Sequence, residues 1–302
     1  MSLVLPALNA WLRLTEKSHL NRIQDVQILR DSFERKARFF FHPPFGTQIR
    51  TTHVAGREAL TLNQDRCVET SPHLLFFHGG AFICGSPATH RAMIAWLSRA
   101  AQMPATLPRY RLAPEHPFPA ALDDAIAIYD AFRDRHAHVV IGGDSAGGCL
   151  VLSLLGEILR SGRAAPSGVF AFSPLTDLTG SGQSMVANAD REAVLPAGRL
   201  HEIARMYLAG VDPTDPRASP LFADHGGAPP VWLTVSDTEI LFDDCTRLAT
   251  RMRRVGVDVD LHVEHGLPHV WPLLHTVLPE SRATLRRLAA WLTALEAPSA
   301  GN

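Results

Sequence analysis

The feature that most restricts the fold is the run Gly142-Gly143-Asp144-Ser145-Ala146-Gly147-Gly148, set between a short apolar stretch at 139–141 and an apolar segment of helical spacing at 146–160. This reads as a strand turning sharply into a helix with a serine at the turn, in the pattern G-x-S-x-G. A serine displayed there takes unfavourable backbone angles, and glycines two positions to either side, Gly143 and Gly147, let neighbouring chain pass close by. The helix beginning after Ser145 directs its free N–H groups toward negative charge developing on a nearby oxygen, and Ala146 N–H is the first such donor. Ser145 therefore reads as a nucleophile. A dinucleotide site is the poorer reading, because no G-x-G-x-x-G occurs here with an acidic residue on the following strand. Cys149, one helical turn beyond, reads as a small buried residue packed under the turn.

Around this turn, apolar runs predict strands at 74–77, 168–172, 231–235 and 257–263 besides 139–141. Helical spacing predicts helices at 89–101, with Thr89 as N-cap, and at 123–135, 146–160, 242–254 and 281–296. Strands alternating with helices make a mostly parallel sheet covered on both faces. The strand at 257–263 is expected to be the last of the sheet, with an edge that could pair with its copy in a homodimer. Two stretches fall outside this rhythm. Residues 1–45 carry helical spacing at Leu8, Leu12, Ile23, Val26, Leu29 and Phe33; residues 176–222 open with turns, continue as a helical piece at 200–208 and end Pro-rich. Neither completes the sheet, so together they could form a lid over a core of 46–175 and 223–302; two surface excursions without function are the alternative.

Composition excludes several partners. The 29 basic and 30 acidic residues are interspersed, so no surface attracting nucleic acid or anionic lipid is expected. No run approaches the roughly 18 apolar residues of a membrane span, and the N-terminus lacks the layout of an export signal. Cys67, Cys84, Cys149 and Cys245 form no CxxC pair, which fits reduced thiols in a cytoplasm.

His78-Gly79-Gly80-Ala81 follows the strand at 74–77, and such a glycine-rich bend can turn backbone N–H groups toward a substrate on Ser145. Gly80 and Ala81 are the expected donors; His78 and Gly79 support the loop. The stretches His-Gly-Gly-Ala-Phe-Ile-Cys-Gly-Ser from 78, Tyr-Arg-Leu-Ala-Pro-Glu-His-Pro from 110 and Gly-Asp-Ser-Ala-Gly-Gly from 143 together resemble the hormone-sensitive lipase family of bacterial esterases. Phe-Ser-Pro-Leu-Thr-Asp-Leu at 172–178 and Asp-Pro-Arg-Ala-Ser-Pro-Leu at 215–221 are similar too. The resemblance implies an α/β-hydrolase fold, a helical cap from the N-terminal helices and 176–222, hydrolysis of short or medium acyl esters of small molecules, and no cofactor or metal. Two positions depart from it. Ala81 stands where the family has a third glycine, which adds a methyl group beside the oxyanion site and disfavours esters of bulky tertiary alcohols; Arg109 stands where the family carries an acidic residue. Within the segment from Tyr110, Glu115 and Asp123 are expected to fix a scaffold loop.

A base partner for Ser145 should follow the last strand, where His265, His269 and His275 are the candidates. His269 is favoured: it lies six residues past 257–263, and Gly-Leu-Pro-His-Val-Trp resembles the family's histidine loop. The acid belongs after the strand at 231–235, where Asp237, Glu239, Asp243 and Asp244 crowd together. The resemblance of Ser-Asp-Thr-Glu-Ile-Leu-Phe-Asp-Asp to the family's acid loop implies Glu239, with Asp243 and Asp244 at a helix N-terminus. The implied function is a serine carboxylesterase working through an acyl-enzyme. A lactone or aryl-amide hydrolase with the same residues is the near alternative. A non-catalytic small-molecule receptor is the distant one, since receptors similar to this family have lost the histidine that stands here at 269.

Overall fold

The computed structural model describes residues 2–63, 65 and 72–295. Cys67 and the last residue of the predicted helix at 281–296 lie outside the described residues. Eight strands form one sheet: β1 (Ile49–Val54), β2 (Arg57–Leu62), β3 (His73–Phe77), β4 (Ala105–Pro108), β5 (Val139–Asp144), β6 (Gly168–Phe172), β7 (Val231–Ser236) and β8 (Val259–Glu264). Their order is β1-β2-β4-β3-β5-β6-β7-β8, antiparallel from β1 to β4 and parallel from there on. This is the α/β-hydrolase fold.

The parallel strands are apolar on both faces, as a doubly covered sheet requires. Leu75 and Phe77 of β3 face a core with α5 (Ala120–Arg133), α6 (Ala146–Ser161) and α9 (Phe242–Arg254). Leu74 and Phe76 face the opposite core with α4 (Pro87–Ala101) and α10 (Pro279–Ala294). Because the parallel strands run the same way, the loops leaving their C-terminal ends share one edge, where such folds place ligands. In register, Phe77 lies opposite Gly143 and Ser236 opposite Glu264, so the chain leaves β3 beside β5 and β7 beside β8.

Several boundaries differ from the sequence expectation. The helix expected to open at Thr89 begins at Pro87, and its N-cap is Ser86, whose hydroxyl accepts the N–H groups of Ala88 and Thr89. Thr89 closes the reciprocal capping box by accepting the N–H of Ser86 at 3.0 Å. The helix expected at 123–135 runs from Ala120 to Arg133, with Pro119 in the N-cap position and no side-chain cap. Strands β1, β2 and β4 were not expected. The β1–β2 turn is Ala55-Gly56 with both φ positive, 49° and 75°, a geometry usually signalled by Asn-Gly or Asp-Gly.

The N-terminal α1 (Val4–Leu12), α2 (Ser18–Arg22) and α3 (Val26–Phe40), and the β6–β7 insertion with α7 (Ser184–Ala187) and α8 (Leu200–Leu208), meet one another. Arg199, 7% exposed, donates to the carbonyls of Leu20 and Ile23, and Lys17 donates to those of Ala189 and Glu192. No helix among the described residues is long and apolar enough to cross a membrane.

Candidate active site

Ser145 stands between β5 and α6 with φ 52° and ψ −119°. Such a conformation costs on the order of 1–3 kcal/mol and persists only where the surroundings over-determine it. Here its N–H donates to Phe172 and its carbonyl accepts from Cys149 and Leu175. Gly147 must lack a side chain, since a Cβ there would run into the carbonyl oxygens of Phe77 and His78. The close approach thereby permitted sets the end of β3 against the start of α6.

His269, in the loop after β8, accepts the Ser145 hydroxyl on Nε2 at 2.9 Å and donates from Nδ1 to Glu239 Oε2 at 2.6 Å. Burial alone would lower the pKa of this imidazole; the hydrogen bond and charge of Glu239, followed by the charges of Glu192 and Asp144, hold it above the usual 6.5. Glu239 is 1% exposed. Its second oxygen, Oε1, accepts Ser236 N–H at 2.7 Å and Ser173 Oγ–H at 2.9 Å, which anchors the carboxylate beside His269. The other late acids and histidines go elsewhere. Asp237 takes His265 Nδ1 and Gly266 N–H, Asp243 takes Ser184 N–H, and Asp244, in the first turn of α9, takes Thr176 and Asp177 N–H. Burial pushes the Asp244 carboxyl up to about 7. His275 is buried away from Ser145, beside Arg282, which donates to its carbonyl.

The bend after β3 faces the same cavity. Gly79 N–H donates to Asp144 Oδ1 at 2.9 Å, and the Asp144 carboxylate also accepts His90 Nε2–H at 3.2 Å. Tyr110 donates to the His78 carbonyl at 2.6 Å and stacks on its ring at 4.4 Å; His78 Nδ1–H donates to Gly79 O. Burial drives the His78 pKa down to about 3, which keeps that ring neutral. Gly80 and Ala81 then turn through φ 123° and 56° and line the cavity with Ser145 and His269. Ala146 opens α6, so its N–H has no intrahelical acceptor. Cys149 is buried, donates to Ala218 O and has its thiol pKa pushed up by burial.

Sequence reasoning missed Ser173, Asp144, His90 and Glu192. Asp144 sits inside the recognised turn motif and Ser173 inside the Phe-Ser-Pro-Leu stretch, so these two carried a visible signal. The scaffold loop is also held differently from expectation: Asp124, not Asp123, takes Arg57 and Arg111, and Glu115 pairs through both oxygens with Arg30 of α3. Arg109 pairs at the surface with Glu58 of β2.

The cavity measures about 220 Å³, below the roughly 300–1,000 Å³ usual for drug-sized ligands. Its walls are mainly apolar: Leu20, Leu29 and Phe33 from the N-terminal helices, and Val194, Leu195 and Ile203 from the insertion. Among the described residues no group of three or more His, Cys, Asp or Glu side chains is arranged to hold a metal ion.

Residues 74–273 match a family model described as alpha/beta hydrolase fold. The chain is 32% identical over 293 residues to an acetyl-hydrolase of Streptomyces hygroscopicus, covering 95% of this chain and 96% of that protein. It is 33% identical over 273 residues to an esterase of Acinetobacter venetianus, covering 89% of each. Among solved structures, an esterase from the bacterial hormone-sensitive lipase family superposes with a TM-score of 0.92 at 32% identity, over 98% of this chain and 99% of that one. Sequence, fold and extent of match agree, and the chain belongs to the bacterial hormone-sensitive lipase family (family IV) of carboxylic ester hydrolases in the α/β-hydrolase superfamily.

Proposed function

We propose that the protein cleaves short- to medium-acyl esters of small molecules through a Ser145–His269–Glu239 triad and an acyl-enzyme on Ser145. The observation that carries this reading is the unbroken hydrogen-bond chain from Glu239 through both nitrogens of His269 to Ser145. His269 Nε2 takes the serine proton as Oγ bonds to the ester carbonyl carbon. The carbonyl electron pair moves onto oxygen, which accepts from the N–H groups of Gly80, Ala81 and Ala146; one such donor is worth about 10²–10³ in kcat. Collapse of this intermediate breaks the bond to the alcohol oxygen, which leaves with the proton from His269. Water, deprotonated by the same histidine, then adds to the acyl carbon, and the bond to Ser145 Oγ breaks as Oγ takes the proton back from His269, which releases the acid. Glu239 stabilises the imidazolium throughout.

Residues 1–45 and 176–222 act in this reading as the lid. Support comes from the mutual contacts of the two segments and from the apolar side chains both place in the cavity. The small volume, and relatives named acetyl-hydrolase and esterase, favour short acyl groups. A receptor without catalysis is the poorer reading, because His269 engages the serine. The unpaired thiols of Cys84, Cys149 and Cys245 support a reducing compartment, the cytoplasm. The test is a panel of nitrophenyl esters from acetyl to palmitoyl, with a lactone series alongside. We expect kcat/KM to peak among short to medium chains, and rates rising steadily to palmitoyl would contradict the lid.

A further inference from the structure

A second carboxylate, that of Glu192, lies buried behind the triad with no part in the mechanism above. Glu192 follows α7 in the insertion and is 1% exposed. Its Oε1 accepts Val194 N–H at 2.8 Å, and its Oε2 accepts at 3.2 Å the N–H of Ile240, the residue next to Glu239. Each oxygen thus faces a donor, which suits the ionised form. The same segment grips the Glu239 loop at further points. Asn188 Nδ2 donates to the carbonyls of Asp237 and Glu239 at 3.0 and 2.8 Å, and Ser184 Oγ donates to that of Ile240 at 2.7 Å. From the other side Lys17 of the N-terminal region donates to the Glu192 carbonyl at 2.9 Å. Two residues beyond Glu192, Val194 begins the stretch that lines the cavity.

We propose that Glu192 is a positioning residue of the triad: seated on the Ile240 amide, its carboxylate fixes the Glu239 loop beneath His269 and adds a second negative charge that stabilises the imidazolium. The inference rests on the triad reading above and deepens it. It makes the cap part of the catalytic machinery, since residues that line the cavity and the carboxylate that supports the base share one short segment. Of the charged groups around Glu192, His269 after β8 and Glu239 after β7 act on its carboxylate and Lys17 reaches its backbone carbonyl, while Asp144 at the β5–α6 turn acts on His269. Burial raises the pKa of Glu192, the charge of His269 opposes that, and Glu239 adds to it. Arg191 turns away to Asn188 Oδ1 and toward Asp237.

The test is the pH dependence of kcat/KM for a short acyl ester, measured on the full chain for wild type, Glu192→Gln, Glu192→Asp and Ser145→Ala, with thermal melting as the folding control. Glu192→Gln removes the charge at constant size. Its acid-limb midpoint is expected to move to lower pH, and kcat to fall by about tenfold, comparable to the low end of what losing an outer supporting partner costs at a metal-bound histidine, while KM stays near wild type. Glu192→Asp keeps the charge but retreats from Ile240, so its midpoint stays and kcat falls. A merely structural brace would lower melting temperature and leave the midpoint of Glu192→Gln in place, which would overturn the proposal. Should Glu192→Gln not fold, Glu192→Asp decides, and a kcat equal to wild type there also overturns it. Ser145→Ala separates the two failures: residual wild-type turnover in that variant sinks the triad itself, whereas an inactive Ser145→Ala beside an unshifted Glu192→Gln sinks only the role of Glu192.

Discussion

Asp144 holds the N–H of Gly79 at 2.9 Å, so the residue before Ser145 braces the loop of Gly80 and Ala81. The two halves of the site, one after β3 and one after β5, are thereby locked as a unit, and His90 closes the other side of the carboxylate.

Replacing Asp144 with Asn should therefore harm both stability and catalysis. One of its two buried acceptors becomes a donor aimed at a donor, a conflict worth about 1–3 kcal/mol. Chemical denaturation is expected to show that loss, with kcat reduced and KM for short esters little changed. Wild-type stability and kcat would mean that the loop is held by other contacts.

The acid assignment gives a sharp contrast between neighbours. Glu239 reaches His269 whereas Asp237, two residues away, is taken by His265 and Gly266. Glu239→Gln should lower kcat by about 10⁴-fold, the scale of losing the group that orients a triad histidine, and Asp237→Asn should keep most activity. Steady-state kinetics on one short ester checks both.

The pH profile follows from the direction of the His269 shift. As the proposed base, His269 works only when neutral, and Glu239 holds its pKa above 6.5, so kcat/KM should fall as pH drops through a midpoint above 6.5. In Glu239→Gln the desolvation of this buried ring is no longer opposed by its main partner. Its NMR titration midpoint should then move down, and an unchanged midpoint would remove Glu239 from the account of the shift.

What could be read from the sequence divides along a physical line. Ser145, the strand before it and the helix after it are local: apolar runs and glycines within a dozen residues determine them. His269 was legible because its loop follows a recognisable strand and resembles the family's histidine loop, and Glu239 only through resemblance, since four acids crowd one stretch and their partners lie far off in sequence. Strands β1 and β2 were invisible for a related reason. They sit at the sheet edge, where β1 carries mostly exposed polar residues, and their turn is Ala-Gly. Ser173, His90 and Glu192 reach partners tens of residues away, which no periodicity encodes.

The central claim is covalent catalysis at Ser145, and acid-quenched mass spectrometry of the protein mixed with a nitrophenyl acyl ester tests it most directly. The account predicts a transient acyl adduct on the peptide containing Ser145, absent in Ser145→Ala, together with loss of turnover in that folded variant. An adduct on another side chain, or wild-type-like turnover without Ser145, would contradict it.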